Sequence, residues 1–321
     1  MRILITGGAG FIGSNLSDYL LKQQEISFVR VLDNLSTGDI KNIEELLKHP
    51  RFEFYEGDIR NFEHCVNACK DIDIISHQAA LGSVPRSIND PLTTNDVNIT
   101  GTLNVFTAAK DAKIKRIVYA ASSSTYGNHH DLPKVEDKIG DPLSPYAVTK
   151  YVNELYAKVY ASVYHLELIG LRYFNVFGPK QNPKGPYAAV IPMFIESILK
   201  NQPPTINGDG KTSRDFTFVE NAVQANYHAL LTKSKEAVNQ VYNIAYGEQT
   251  SLNDLFEYLK GIAGSDLSPK YGPERGGDVR HSLADISKAR QLLNYDPKIN
   301  VMQGLKETFE WYRSRQYFGY S

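Results

Sequence analysis

The segment over residues 3–13 reads Ile3-Leu4-Ile5-Thr6-Gly7-Gly8-Ala9-Gly10-Phe11-Ile12-Gly13. Its apolar, β-branched run meets a glycine-rich turn, and apolar residues then recur at helical spacing, which predicts a strand, a turn and a helix. Gly7 allows a tight turn, Gly10 lets the backbone approach a pyrophosphate, and Gly13 lets the helix pack closely on the strand. Because a helix N-terminus also offers free N–H groups to an anion, the stretch predicts a dinucleotide site.

An acid at the end of the next strand points to the same ligand. The predicted strand over 28–32 is followed by Asp33, 20 residues beyond Gly13. A carboxylate at this place accepts hydrogen bonds from both ribose hydroxyls of NAD and repels the extra phosphate of NADP, so we predict NAD as the cofactor. Further candidate contacts in the turn and in the loop after the strand are Phe11, Ile12, Asn34, Ser36, Thr37 and Gly38.

Strands and helices then alternate, which is typical of βαβ units and a parallel sheet. The alternation ends near residue 173. We therefore predict an α/β fold: a doubly wound parallel sheet (Rossmann) over 1–173 that binds NAD, and a smaller mixed α/β lobe over 174–321 that mainly binds substrate, with some segments returning to the first domain. The predicted strands include Arg51–Glu56, Ile72–Ser76, Arg116–Ala121 and Leu166–Arg172, and the helices include Ile40–Lys48, Phe62–Cys69, Pro91–Ala112, Tyr151–Tyr164 and Asp285–Leu293.

Asp58 follows the third predicted strand. Nucleotides bind at the carboxyl ends of the strands in open α/β sheets, so Asp58 is a candidate contact for the adenine. The alternative is that Asp58 caps the helix that begins near Asn61. Small residues after the fourth strand would let the backbone lie along a cofactor. The candidates from these two segments are Asp58, Ile59, Gln78, Ala79 and Ala80.

A tyrosine and a lysine stand one helical turn apart beyond a run of serines. Tyr146 and Lys150 share one face of a predicted helix, and Ser122, Ser123 and Ser124 follow the fifth strand. A phenol with its ordinary pKa near 10 is a poor base at neutral pH, but a neighbouring ammonium and an oxidised nicotinamide both favour the phenolate. Beside a nucleotide site, the pair predicts catalysis. The alternative is that the tyrosine only packs and the lysine is solvated.

The charge balance and the cysteines exclude several classes of protein. The 35 basic and 36 acidic residues nearly cancel, so we expect no nucleic acid and no anionic membrane as a partner. No apolar run approaches the length of a spanning helix, and we expect a cytoplasmic protein. Cys65 and Cys69 lie beside His64, but no second ligand pair is near, which favours a half-buried helix face over a metal site. We expect no metal and no disulfide.

Several motifs, spread over nearly the whole chain, occur together in this sequence. They are Thr6 to Gly13, the serine run before Tyr126-Gly127, Tyr146 with Lys150, Leu171-Arg172-Tyr173-Phe174-Asn175, and Arg214-Asp215. The chain thereby resembles the extended short-chain dehydrogenase/reductase family, and within it the nucleotide-sugar 4-epimerases. The segments 78–87 and 188–192 resemble the bacterial UDP-N-acetylglucosamine 4-epimerases more closely. Relatives that act on UDP-galactose usually carry an asparagine where Ala189 stands.

The resemblance implies an epimerase with tightly held NAD. Tyr146 would take the proton from the sugar 4-hydroxyl while hydride goes to NAD, and the 4-keto sugar would turn over and receive the hydride on its other face. Lys150 would lower the pKa of the tyrosine and bond the nicotinamide ribose. Ser122 would bridge the substrate oxygen and the tyrosine, although Ser123 and Ser124 remain alternatives.

The resemblance also implies contacts to a UDP-sugar. Two arginines suit its diphosphate because guanidinium groups bind phosphate oxygens through paired hydrogen bonds, although either arginine could instead form a surface ion pair. Ser282 stands at the family's size-gating position, where serine leaves room for an N-acetyl group; the alternative is that it caps a helix near Ala284. Tyr173 is implied on the cofactor side. The implied substrate contacts are Gly82, Ser83, Ser122, Ser123, Asn175, Ala189, Val190, Asn207, Arg214, Arg275, Asp278 and Ser282.

The predicted function is interconversion of UDP-GlcNAc and UDP-GalNAc, and several alternatives stay open. Epimerases of UDP-glucose and UDP-galactose, or of a UDP-acetamido-uronic acid whose carboxylate would meet Arg86, are the nearest. A dehydratase would place Asp and Glu where Ser123 and Ser124 stand, and a non-catalytic nucleotide-sugar sensor has no need of the tyrosine–lysine pair. The resemblance also implies a homodimer, joined by a four-helix bundle from the Pro91 and Tyr146 helices of each subunit.

We expect purified protein, once denatured, to release NAD(H) rather than NADP(H). The Asp33 carboxylate would face the 2′-phosphate of NADP across a short, poorly screened distance, and the two negative charges repel each other. Chromatography of the released nucleotide is the measurement. A sample that releases mainly NADP(H) would contradict the assignment.

Overall fold

The computed structural model describes residues 1–183, 189–274 and 280–315. Its strands are β1 (Arg2–Thr6), β2 (Phe28–Asp33), β3 (Phe52–Glu56), β4 (Ile74–His77), β5 (Arg116–Ser122), β6 (Glu167–Tyr173), β7 (Val176–Phe177), β8 (Thr205–Asn207), β9 (Ser213–Arg214), β10 (Thr217–Phe218), β11 (Gln240–Ile244), β12 (Thr250–Ser251) and β13 (Lys270–Gly272). Its α-helices are α1 (Phe11–Leu20), α2 (Phe62–Ala68), α3 (Val84–Asn89), α4 (Pro91–Asn95), α5 (Gly101–Asp111), α6 (Pro145–Tyr164), α7 (Val190–Leu199), α8 (Val219–Leu231), α9 (Leu252–Ala263), α10 (Ser287–Leu293) and α11 (Val301–Ser314).

A 7-stranded parallel sheet forms the centre of the molecule, in the order β11-β6-β5-β4-β1-β2-β3. The chain begins in the middle at β1, builds outward to β3 and returns on the other side of β1 with β4. This confirms the predicted doubly wound fold. Because the strand order reverses between β1 and β4, a crevice opens at their carboxyl ends, where such sheets bind ligands.

The outermost strand beyond β6 comes from late in the chain. Strand β11 pairs in parallel with β6, so the part of the chain after residue 173 also contributes to the large sheet. The other strands of this part form small pairs: β7 with β10, β9 with β12 and β8 with β13. The division of the chain at residue 173 remains a prediction.

The core lies on both faces of the large sheet, because side chains of a strand alternate between its faces. Ile3 and Ile5 of β1 belong to one buried cluster, which includes residues of α1 and α8, and Leu4 belongs to a second, which includes residues of α2, α5 and α6. Cys65 and Cys69 are part of the second cluster and only 1% and 2% exposed. They are more deeply buried than the predicted half-buried face.

Two predicted helices differ in the structure. The helix expected from Pro91 to Ala112 is interrupted by a π-helical turn over Asp96–Thr100, between α4 and α5. The segment 40–48 forms two 3₁₀ turns instead of one α-helix. Within the described ranges, no helix is both long enough and apolar enough to cross a bilayer.

Candidate active site

The glycine-rich turn connects β1 to α1 with almost no room for side chains. Gly7 has a positive φ of 70°, and a Cβ there would lie 2.7 Å from the Cα of Ala79. A Cβ on Gly13 would lie 2.3 Å from the carbonyl oxygen of Gly7. Any side chain at either position would therefore push the turn away from β4 or from its own helix. No side chain caps the first turn of α1, whose N-cap residue is Gly10, so its N–H groups remain available to an anion.

Asp33 ends β2 beside this turn and is only 8% exposed. Its carboxylate accepts hydrogen bonds from the backbone N–H of Ala9 at 2.9 Å and of Leu35 at 2.8 Å. Burial raises the pKa of this carboxyl group, while the backbone hydrogen bonds oppose the rise. Asp33 thus braces the glycine-rich turn as well as facing the cavity, a structural role that its place in the sequence does not reveal.

Asp58 lies beyond the end of β3 and is not a helix cap. The N-cap of α2 is Asn61, whose side chain accepts from the N–H of Glu63 and His64, so the alternative interpretation of Asp58 as that cap is wrong. The Asp58 carboxylate instead accepts from the side chains of Arg60, at 2.7 Å, and Asn34, at 2.9 Å. The hydrogen bonds from Arg60 lower its pKa to about 2, so it is ionised at neutral pH.

A cavity of about 540 Å³ runs along the carboxyl ends of the large sheet, and nearly all the predicted cofactor residues line it. Gly38 is the exception, because it packs against Ala9 behind the turn. The lining combines a backbone cradle, an acid for the ribose and a buried lysine, which suits a dinucleotide. The predicted residues that line it are Gly7, Gly10, Phe11, Ile12, Gly13, Asp33, Asn34, Ser36, Thr37, Asp58, Ile59, Gln78, Ala79, Ala80, Tyr146, Lys150 and Tyr173.

Tyr146 and Lys150 face this cavity from the first turns of α6, which begins at Pro145 after the N-cap Ser144. The ammonium of Lys150 lies 6.0 Å from the centre of the Tyr146 ring and donates to the carbonyl of Ala120 at 2.9 Å. Lys150 is 3% exposed, and burial lowers its pKa to about 8. The alternative in which this lysine is solvated is therefore wrong.

The protein alone does not favour the phenolate form of Tyr146. Burial raises its pKa, and a hydrogen bond with Ser122 opposes the rise. The sequence predicts the reverse direction for a tyrosine beside a lysine. The difference arises because desolvation of the phenol outweighs the hydrogen bond with Ser122. A positive charge in the cavity beside the phenol would favour the phenolate.

The three serines occupy different places. Ser122 and Ser123 line the cavity, whereas Ser124 does not. The backbone N–H and the hydroxyl of Ser124 donate to the hydroxyl oxygen of Ser122, at 3.2 and 2.9 Å. Ser122 shares the cavity lining with Tyr146 and lowers the pKa of that phenol, which favours Ser122 as the serine that would meet the substrate and Ser124 as its support.

Helix α6 is fixed on the sheet by a buried ion pair. The guanidinium of Arg172 on β6 donates to both carboxylate oxygens of Glu154, at 2.9 and 2.7 Å. Both residues are buried. Glu154 stands one helical turn beyond Lys150, and Arg172 precedes Tyr173, so the pair holds together two elements that line the cavity.

A second cavity of about 470 Å³ continues from the first, and the two share Asn175, Val176 and Gln181. Of the predicted substrate residues, Gly82, Ser122 and Ser123 line the first cavity, Asn175 lines both, and Ala189, Val190, Asn207 and Arg214 line the second. Arg275 and Asp278 lie outside the described residues.

Ser83 and Ser282 line neither cavity. Ser83 is the N-cap of α3, where its hydroxyl accepts from the N–H of Arg86 at 3.2 Å. The backbone N–H of Ser282 donates to the carbonyl of Ser213, next to Arg214, at 3.1 Å. Helix α10 begins only at Ser287, so the alternative in which Ser282 caps that helix is wrong.

Arg280 also lines the second cavity and was not among the predicted residues. Its carbonyl oxygen accepts from the guanidinium of Arg214 at 3.3 Å, and its own guanidinium pairs with Asp209 at 3.2 Å. The sequence shows that Arg280 is a basic residue close to Arg275. Only the fold shows that Arg280 lines the cavity. The two arginines make this end of the cleft suitable for a phosphate group.

Comparison with known proteins agrees with this geometry. Residues 3–245 match the NAD dependent epimerase/dehydratase family. The chain is 39% identical to a UDP-N-acetylglucosamine 4-epimerase from Methanobrevibacter ruminantium, solved with UDP-N-acetylmuramic acid, with a TM-score of 0.92 over 98% of both chains. It is 34% identical to a UDP-glucuronic acid 4-epimerase from Bacillus cereus, solved with UDP-glucuronic acid and NAD, with a TM-score of 0.91 over 98% of this chain and 100% of the other.

A UDP-glucose 4-epimerase from Mycolicibacterium smegmatis is 35% identical over 98% of this chain and 99% of its own length. These relatives share one reaction type, although their named sugars differ. The chain belongs to the NAD dependent epimerase/dehydratase family, which confirms the resemblance to NAD-dependent nucleotide-sugar 4-epimerases that its motifs show.

Proposed function

We propose that this enzyme interconverts UDP-GlcNAc and UDP-GalNAc. The observation that carries the proposal is the small size of Ser282, at the position that the resemblance identifies as the size gate for the sugar 2-substituent. The N–H of Ser282 bonds to the carbonyl of Ser213, next to Arg214, and the Ser282 side chain lines neither cavity, so the assignment of the gate rests on the resemblance. The similarity to the UDP-N-acetylglucosamine 4-epimerase supports the same substrate class.

The acetamido-uronic acid alternative has less support. Its carboxylate would need a cation at the sugar, and Arg86 was the candidate. Arg86 lies on α3 and lines neither of the two cavities. The relatives named for UDP-glucose keep that sugar as the second candidate.

In the proposed mechanism, Tyr146 holds and moves the proton of the sugar 4-hydroxyl. Ser122, oriented by Ser124, bonds both the phenol and the substrate oxygen and so aligns them. NAD, when bound, would supply reversible hydride transfer, and its oxidised ring would add a positive charge that favours the phenolate. Lys150, locked on the Ala120 carbonyl, would contact the nicotinamide ribose.

The diphosphate would bind in the second cavity, near its junction with the first and beside Arg214 and Arg280. The guanidinium of Arg214 donates to the carbonyl oxygens of Ser213 and Arg280, at 3.0 and 3.3 Å, which orients it toward the cleft that it lines. Asn175 stands where the two cavities join, and its side chain donates to the carbonyl of Asp215 at 3.1 Å. These contacts fix the substrate at its nucleotide end and leave the sugar at Tyr146.

We also propose a homodimer formed through α6 and the neighbouring helices α3 and α4. These helices pack on one another and expose an apolar surface. Contiguous exposed apolar surface on a folded chain marks an interaction site, and two copies of one surface pair readily about a two-fold axis. The exposed apolar residues are Val84, Ile88, Leu92, Val148, Leu155, Tyr156, Val159, Val163 and Tyr164.

Tyr146→Phe should retain the fold and NAD but lose most turnover. Removing a general acid–base group costs typically ~10²–10⁴-fold in rate, and the phenyl ring still fills its space. Steady-state kinetics with UDP-GlcNAc is the measurement. Tyr151→Phe, on the same helix, is the control and should keep wild-type activity. Equal turnover in wild type and Tyr146→Phe would remove Tyr146 from the mechanism.

Ser282→Tyr should abolish turnover of UDP-GlcNAc and UDP-GalNAc while sparing UDP-glucose and UDP-galactose. Overpacking a well-formed site costs on the order of 1–3 kcal/mol or more, and only the acetylated sugars need the space. Ser282→Ala is the control and should keep acetylated substrates. A Tyr variant that loses both pairs equally, or keeps UDP-GlcNAc turnover, would show that Ser282 is not the gate.

The dimer proposal is tested by placing charge on its surface. Leu92 is 82% exposed, and Leu92→Glu combined with Val159→Glu should convert the dimer to a monomer in light scattering after gel filtration, because a buried unpaired carboxylate strongly opposes association. Met302→Glu, on α11, is the control and should stay dimeric. A monomeric wild-type protein, or a dimeric double variant, would contradict the proposal.

A further inference from the structure

A histidine that lines neither cavity joins the glycine-rich turn to helix α5. His77 ends β4 and is buried. Its Nδ1 lies 2.7 Å from the hydroxyl of Thr6, which precedes the turn, and its Nε2 lies 2.9 Å from the hydroxyl of Thr102. Both threonines are also buried. The imidazole therefore bridges two elements through hydrogen bonds that water does not reach.

The direction of every hydrogen bond in this group follows from the donors available. The single hydroxyl proton of Thr102 is donated to the carbonyl of Asn98 at 2.7 Å. Thr102 must therefore accept from His77, which places a proton on Nε2. In the neutral ring Nδ1 is then an acceptor, and it takes the hydroxyl proton of Thr6, whose oxygen accepts from the N–H of Ala79 at 3.3 Å.

The same group continues to helix α6 through Asn98, in the π-helical turn. The Asn98 side chain accepts from the N–H of Leu81 at 2.8 Å and donates to its carbonyl at 3.2 Å. It also donates to the hydroxyl of Thr149 at 3.1 Å, which in turn donates to the carbonyl of Tyr146 at 2.8 Å. The cavity wall at 79–81 is thus anchored at one end by Thr6 and at the other by Asn98.

We propose that His77 and Thr102 are positioning residues: as a neutral bridge they hold the glycine-rich turn, the cavity wall at 79–81 and the tyrosine of α6 in one fixed arrangement. This inference rests on the proposed catalytic role of Tyr146 but not on which UDP-sugar is the substrate. A misplacement of about 1 Å between reacting groups can cost on the order of 10²-fold in rate, so such a bridge acts on turnover.

The surroundings of His77 keep it neutral, as the bridge requires. Burial and, to a lesser extent, the nearby ammonium of Lys150 lower its pKa to about 3. A proton on Nδ1 would turn that atom into a second donor and reverse the Thr6 hydrogen bond. The ring of Phe106 packs at its edge, 6.3 Å between centroids, and completes the dry environment.

The test uses Thr102→Val, which keeps the shape but removes the hydroxyl, and Thr102→Ser, which keeps the hydroxyl. Thr107→Val, on the same helix, is the matched control because it removes a hydrogen bond to Tyr160 outside the bridge. We expect Thr102→Val to lower kcat roughly tenfold or more while KM changes less than about twofold, and Thr102→Ser to restore most of kcat. Thr107→Val should keep kcat.

Three results would overturn the inference. They are an unchanged kcat in folded, NAD-loaded Thr102→Val, an equal loss in Thr107→Val, and no recovery in Thr102→Ser. The parallel kinetics of Tyr146→Phe separate the two ideas: if that variant is inactive and Thr102→Val is fully active, only the bridge is refuted. If Thr102→Val does not fold, nitrogen NMR of the wild-type protein decides, since His77 should stay neutral with its proton on Nε2 from pH 5 to 9. A titration in that range would refute the bridge.

Discussion

The buried ion pair between Arg172 and Glu154 is the constraint on which the site depends. Two charges removed from water are tolerated only when they satisfy each other, and removing one partner typically costs ~3–5 kcal/mol. Arg172 also donates to the carbonyl of Glu136 at 2.9 Å and lies 4.9 Å from the Tyr126 ring centre. The pair therefore sets how α6 lies on the sheet, and with it the place of Tyr146 and Lys150.

Much of the fold could be predicted because its signals are local. The apolar strands, the glycine-rich turn and the alternation with helices all follow from residue patterns, and the doubly wound sheet is confirmed. The π-helical turn at 96–100 and the pairing of β11 with β6 were not predicted. The Asn98 side chain in that turn bonds the backbone of Leu81, and β11 pairs with a strand that is distant in sequence. Contacts between distant segments are not encoded in a local pattern.

For the candidate site, the sequence predicts the identity of most residues but not their environment. The sequence predicts most of the residues that line the first cavity, since the turn, the acid after β2 and the tyrosine–lysine pair each carry a motif. It does not predict how deeply these side chains are buried. Burial raises the pKa of Tyr146 and lowers the pKa of Lys150. The position of Arg280 on the cavity wall could not be predicted from sequence, because it depends on backbone hydrogen bonds of Arg280 and Ser282 with Ser213 on β9.

Strand β11 is synthesised long after β6, the strand with which it pairs in the large sheet. Strand β6 is synthesised early, but its outer edge stays unpaired until residues 240–244 have left the ribosome. An open strand edge is a template for wrong pairing, and long-range parallel pairing forms slowly. Between the two strands lies the segment that provides most of the lining of the second cavity. Completion of the sheet is thus coupled to folding of this segment, and a fragment ending at residue 173 would expose the edge of β6 to aggregation.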